Sequence, residues 1–162
     1  MKKLKVWQLV VGLVLVVSGS VLFAIGVSGG FGSGESKAVL DEEYICEGCE
    51  FSYMDLEPEE YEELVTNKKS FIVMIDQGGC STANTLKGFV KDFATDKGIK
   101  VYKMMYGDMR KTSMYDFVKY YPSVAVVSDG KVIGWLKADS DEDSDAYNQY
   151  EAFETWVNQY LK

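Results

Sequence analysis

Histidine is absent from the 162 residues. That absence removes the commonest general base, the commonest zinc ligand and every Ser-His or Cys-His nucleophile pair. Cysteine is scarce, with three in the chain, so any thiol chemistry rests on Cys46, Cys49 and Cys80. A tetrahedral zinc site would need all three plus a carboxylate, outside the usual ligand sets, and no metal is expected. Basic residues are also few, 17 against 25 acidic ones. Four of the 17 lie in residues 1–37, with one acid, so residues 38–162 hold 13 basic against 24 acidic side chains. Such a surface repels phosphate backbones and excludes a nucleic-acid partner. No cofactor is expected. What is plentiful is apolar: 47% of the residues are hydrophobic and 14% aromatic, enough for one cored domain and an anchor.

Lys2, Lys3 and Lys5 precede an almost wholly apolar run from Val6 to Val27. Its length is close to the roughly 20 residues needed to cross a bilayer core and exceeds the h-region of a cleaved signal. No polar face interrupts it, which excludes a core helix showing one side to water. We expect an uncleaved single transmembrane helix. The lysines place residues 1–5 in the cytoplasm and the rest outside the cell membrane, where disulfides persist. A Gly/Ser-rich tether begins at Ser28, and residues 28–49 read as an extracytoplasmic linker.

The remainder, residues 50–162, reads as alternating elements. Phe51–Leu56 is a short strand. Pro58 with Glu59 and Glu60 opens a helix. Phe71–Ile75 is apolar throughout, as a strand buried on both faces is. Thr82–Phe93 carries Leu86, Phe89, Val90 and Phe93 at helical spacing, and Gly98 ends that helix. Ile99–Tyr106 is a strand. Thr112–Tyr120 is a helix with Met114, Phe117 and Val118 inward. Ser123–Val127 and Lys131–Leu136 flank Asp129-Gly130, a hairpin signal. Tyr147–Leu161 is a final helix, and the order is βαβαβαββα.

Three local features resemble the thioredoxin family. An apolar strand leads through Gly78-Gly79 to Cys80 at the start of a helix. Tyr121-Pro122-Ser123-Val124 is similar to the family's cis-proline segment, which lies beside its active cysteine. Val126–Ile133 matches the family's strand, turn and strand. Glu60-Tyr61-Glu62-Glu63-Leu64 is similar to the bacteriocin transport accessory branch. The resemblance implies an α/β thioredoxin-like fold, with Cys80 and Pro122 as site residues and protein or peptide thiols and disulfides as partners. A cysteine at a helix start meets unpaired amides and the positive end of the dipole, which favour thiolate. A proline facing it has no N–H to compete for a peptide's backbone.

The motif departs from the family. Gly79-Cys80-Ser81-Thr82-Ala83 stands where the family has Trp-Cys-x-x-Cys, and Met74 stands where it often has a buried aspartate. Asp76 is two residues further on, and the proton role is not carried over to it. Without a second local thiol, Cys80 can form a mixed disulfide but cannot release itself. Cys46-Glu47-Gly48-Cys49 is itself a C-x-x-C among four acids. It admits a local structural disulfide, a resolving role for Cys80, or inert thiols. Cys80 itself admits an inert, buried reading. Asp139–Asp145 starts like a calcium loop but has Ser144 and Tyr150 where glycine and glutamate are needed. It reads as a solvated loop whose Ser144 or Asp145 caps the last helix. Met104, Met105, Met109 and Met114 read as core and rim residues. Two functions follow: monothiol exchange at Cys80, or a non-catalytic partner-binding module built on the Pro122 edge, an accessory to an export system.

Overall fold

The computed structural model describes residues 37–162. The expected stub 1–5, the apolar run 6–27 and residues 28–36 of the linker lie outside the described residues. Among the described residues no helix is long and apolar enough to cross a membrane.

In chain order the elements are β1 (Met54–Asp55), α1 (Pro58–Thr66), β2 (Phe71–Asp76), α2 (Ser81–Lys97), β3 (Tyr102–Met105), α3 (Tyr106–Met109), β4 (Ser123–Ser128), β5 (Lys131–Trp135), α4 (Ser144–Asn148) and α5 (Tyr150–Asn158). The strands form one sheet in the order β1-β3-β2-β4-β5. β1 and β2 both run parallel to β3, whereas β4 runs antiparallel to β2 and to β5. The parallel half needs helical crossovers; the antiparallel half closes through a tight hairpin. That hairpin turns at Asp129 and Gly130, both with positive φ. A Cβ on Gly130 would come within 2.2 Å of the Val65 carbonyl, so glycine is required there for space as well as conformation.

All six residues of β2 are buried. Ile72 and Met74 face one core with Leu86, Val90 and Phe93 of α2 and Phe153, Trp156 and Val157 of α5. Phe71, Val73 and Ile75 face the other, with Tyr61 of α1, Met104, Met109 and Met114. A strand covered on both faces must be apolar throughout, and this is the physical origin of the unbroken run.

Several elements differ from the sequence reading. The packed unit starts earlier than residue 50. Ala38 is buried and its amide donates to the Tyr160 carbonyl at 2.6 Å, while the Lys162 amide donates back to Ala38 at 3.0 Å. Tyr44 is 3% exposed and meets Tyr102 edge-on, with ring centroids 5.6 Å apart. Residues 37–49 therefore belong to the domain, not to a linker. The first strand shrinks to two residues, and the third ends at Met105, where the chain turns into α3. No α-helix spans residues 112–120; a 3-10 turn at Ser113–Asp116 replaces it. Glu62 from α1 accepts from the Ser113 amide at 2.6 Å, and the Thr112 hydroxyl accepts from the Met114 amide, which fixes that turn locally. Phe117 is 45% exposed there and packs on Trp135, not into the core. The final helix is broken at Gln149, whose backbone is extended. Neither Ser144 nor Asp145 caps it: Ser140 caps the preceding 3-10 turn, and Asp143 accepts from the Lys137 amide.

Candidate functional site

β2 ends at Asp76, and a four-residue loop carries the chain to α2. Gly79 sits in that loop at φ 82°, a conformation that strains any L side chain. Glycine suits this left-handed turn immediately before Cys80. Cys80 follows as the N-cap of α2. Its thiol is free and half-buried. No side chain caps the first turn of this 17-residue helix, so its unpaired amides offer positive charge beside the sulfur. Ala83, one turn on, is fully buried.

Antiparallel pairing of β2 with β4 sets Ile75 opposite Ser123, which brings the start of β4 to the Cys80 loop. The peptide bond between Tyr121 and Pro122 is cis. Pro122 is buried and lines a cleft of about 500 Å3 together with Cys80, Thr82, Tyr121 and Asp139. The Tyr147 hydroxyl is shared between the carbonyls of Pro122 at 2.8 Å and Leu136 at 3.1 Å, tying α4 to the proline loop. Burial pushes the Tyr147 hydroxyl well above the ordinary tyrosine value, so it stays a neutral donor. Among the described residues, the Tyr121 N–H and C=O have no hydrogen-bond partner. That is an open backbone edge beside the Cys80 thiol, an arrangement to which an extended peptide can add. The structure therefore brings Cys80 and Pro122 together.

Cys46 and Cys49 are elsewhere. They are bonded to each other, with Cα atoms 5.7 Å apart. The Cys46 amide donates to the Gly98 carbonyl at 2.6 Å, just past the C-terminal end of α2. Cys80 caps the opposite end of the same 17-residue helix. At about 1.5 Å per residue the two sites are about 25 Å apart, so this pair cannot attack a mixed disulfide on Cys80 within one folded chain.

Met74 lies fully inside the apolar core and offers no proton acceptor. Asp76, on the same side of β2, is buried and paired with Lys87 of α2 at 2.9 Å. Among the described residues its second oxygen, Oδ1, has no hydrogen-bond partner. Two further features of the site were missed in the sequence. Tyr121 packs against Tyr106, ring centroids 4.1 Å apart and tilted, and lines the cleft. The acidic loop, read as a solvated run, contributes Asp139 and Asp141 to the cleft lining. The only signal of the latter was its charge, which spacing alone could not place. A larger hollow of about 590 Å3, lined by Glu142, Glu151, Trp156 and Tyr160, contains no thiol. Among the described residues no group of metal-ligating side chains converges.

No family model matches the sequence, and no curated protein matches it. Among solved structures, the chain is similar to a point mutant of thioredoxin from Halobacterium salinarum NRC-1. The identity is 12%, covering 71% of this chain and 97% of that one, with a TM-score of 0.53. It is similar also to oxidised thioredoxin from Plasmodium falciparum, at 12% identity over 68% of this chain and 100% of that one, with a TM-score of 0.52. The likeness is one of fold: the described domain has the thioredoxin fold.

Proposed function

We propose that this thioredoxin-fold protein performs monothiol thiol–disulfide exchange at Cys80, on protein or peptide disulfides, from the outer face of a cell membrane. The observation that carries the reading is the cleft itself. A free, half-buried thiol at an uncapped helix start shares one hollow with a cis-proline and an unpartnered backbone edge. The anchor at residues 6–27 and the cytoplasmic stub at 1–5 rest on the sequence, that is, on an apolar run behind three lysines.

The exchange balances as follows. The Cys80 thiolate attacks one sulfur of a partner disulfide. A Cys80–partner S–S bond forms, the partner's own S–S bond breaks, and the second partner sulfur leaves as a thiolate that takes up a proton. Release needs a second thiolate. Ala83 supplies none, and Cys46 and Cys49 are oxidised at the far end of α2. The resolving thiol therefore comes from a small molecule or another protein. Without it, the mixed disulfide is the end of the reaction.

A second reading keeps the cleft and drops the chemistry: a module that holds a peptide on the Pro122 edge. The absence of a second thiol at Ala83 favours it. The two readings separate in cells. Acid-quenched, alkylated extracts of cells making the wild-type chain should show partner proteins joined to it by reducible bonds. Cys80→Ser should show none. Equal, non-reducible association by both variants would establish the binding module instead.

A further inference from the structure

The chain carries a second sulfur centre that exchange at Cys80 leaves unused. The Cys46–Cys49 disulfide is open to solvent, with Cys49 exposed and Cys46 half-buried. It lines its own hollow of about 240 Å3 with Glu50, Phe51, Met54 and Lys100. The fold has little need of it. Before the pair, the Cys46 amide donates to the Gly98 carbonyl at 2.6 Å and the Lys100 amide donates to the Tyr44 carbonyl at 2.8 Å. After it, the Met54 amide donates to the Val101 carbonyl at 3.1 Å. Both flanks are thus pinned to one stretch of chain without the sulfurs. The disulfide spans only Glu47 and Gly48, and a cross-link removes less unfolded-chain entropy the shorter the loop it closes. A disulfide that staples little and faces solvent is of the kind that thiols reduce and re-form.

Cys80 has the complementary lack, a nucleophile with no thiol to release it. Within one chain the two centres sit at opposite ends of α2, too far apart to meet. Each lines its own surface hollow, so a second copy can present its pair to Cys80. We infer that Cys46 and Cys49 are the resolving pair for Cys80 of a second copy of this chain. This rests on the reading of Cys80 as an exchange site and names the partner that completes it. A dithiol first reduces the pair and is itself oxidised to a disulfide. The Cys49 thiolate then attacks the Cys80 sulfur of a mixed disulfide on the other copy. A Cys49–Cys80 bond forms, and the substrate sulfur leaves as a thiolate that takes up a proton. The Cys46 thiolate next attacks the Cys49 sulfur, the Cys46–Cys49 bond re-forms, and Cys80 departs as a thiolate. Over the cycle one dithiol is oxidised and one substrate disulfide is reduced.

The test uses the full chain in detergent. Wild-type chain, its own pair closed, is loaded at Cys80 with a chromogenic thiol. Cys80→Ser chain, reduced with dithiothreitol and then freed of it, is added as donor at equal concentration. The chromophore should be released, leaving the donor pair closed and Cys80 free by intact mass. Release should be about 10-fold faster than with a Cys-Glu-Gly-Cys peptide at that concentration, because the folded pair is held for attack. A donor that also carries Cys46→Ser should stall as a covalent dimer joined through Cys80 and Cys49. Release no faster than with the peptide would overturn the inference, as would absence of the stalled dimer. So would a pair that dithiothreitol reduces only when the chain unfolds, because the disulfide would then be a staple. If Cys80 takes up no chromogenic thiol, the exchange reading fails and this inference falls with it. A loaded Cys80 that the donor ignores ends this inference alone.

Discussion

Ala83 decides what Cys80 can do. It is fully buried one helical turn away, facing the core with Leu86. A cysteine there would sit close enough to attack a mixed disulfide on Cys80. Ala83→Cys should therefore turn a trap into a reductase, measurable as insulin reduction with excess dithiol. The added sulfur enters a packed core and should cost about 1–3 kcal/mol of stability. Activity should remain below that of a complete thioredoxin, because Met74 offers no proton acceptor and Asp76 is held by Lys87. A variant that folds, by denaturant titration, yet gains no activity would show that Cys80 is closed to substrates. At this scale the positions of Cys80 and Pro122 were legible, since each stands at a junction that strand–turn–helix patterning marks, and the two line one cleft. Asp76 was harder: whether an aspartate at a strand end points inward depends on pleat and partner, and Lys87 supplies the partner from another element.

Among the elements, α4 matters most to the site. It is only five residues long, and its Tyr147 reaches back to the Pro122 carbonyl. The helix breaks at extended Gln149; α4 before it holds the proline loop and α5 after it places Phe153 and Trp156 in the core with α2. Tyr147→Phe removes the shared hydroxyl and should cost about 1–2 kcal/mol in urea unfolding, with slower adduct formation at Cys80. Unchanged unfolding would mean the hydroxyl does not tie the loop. The long periodic elements, β2 and α2, were legible because burial of one or both faces writes itself into spacing. The short ones were not. The 3-10 turn at Ser113–Asp116 is fixed by Glu62, 51 residues away. The edge at residues 37–49 is held by Ala38 and Tyr44, in two short apolar stretches, Ala38–Leu40 and Tyr44-Ile45, separated by acids, which are too short to leave a periodic trace. Its C-x-x-C invited a redox reading; only the contact with Gly98 shows it to be at the wrong end of α2.

At the scale of the whole molecule, an acidic domain follows a basic start and an apolar run. That arrangement predicts a membrane protein with its C-terminus outside. A topology reporter fused after Lys162 should read extracytoplasmic, and the chain should stay with membranes through a salt wash. A shortened chain in the medium would mean a cleaved signal, and a cytoplasmic reporter would invert the orientation.

The central claim is that Cys80 is an open nucleophile with no resolving partner of its own. Stopped-flow release of a chromogenic thiol from a peptide mixed disulfide, with the full chain lacking added thiol, tests it most directly. The account predicts a burst of one thiol per chain, then none until a small thiol is added, and no burst in Cys80→Ser. Absence of the burst would contradict an open nucleophile. Continued release without added thiol would contradict the absence of a resolving partner.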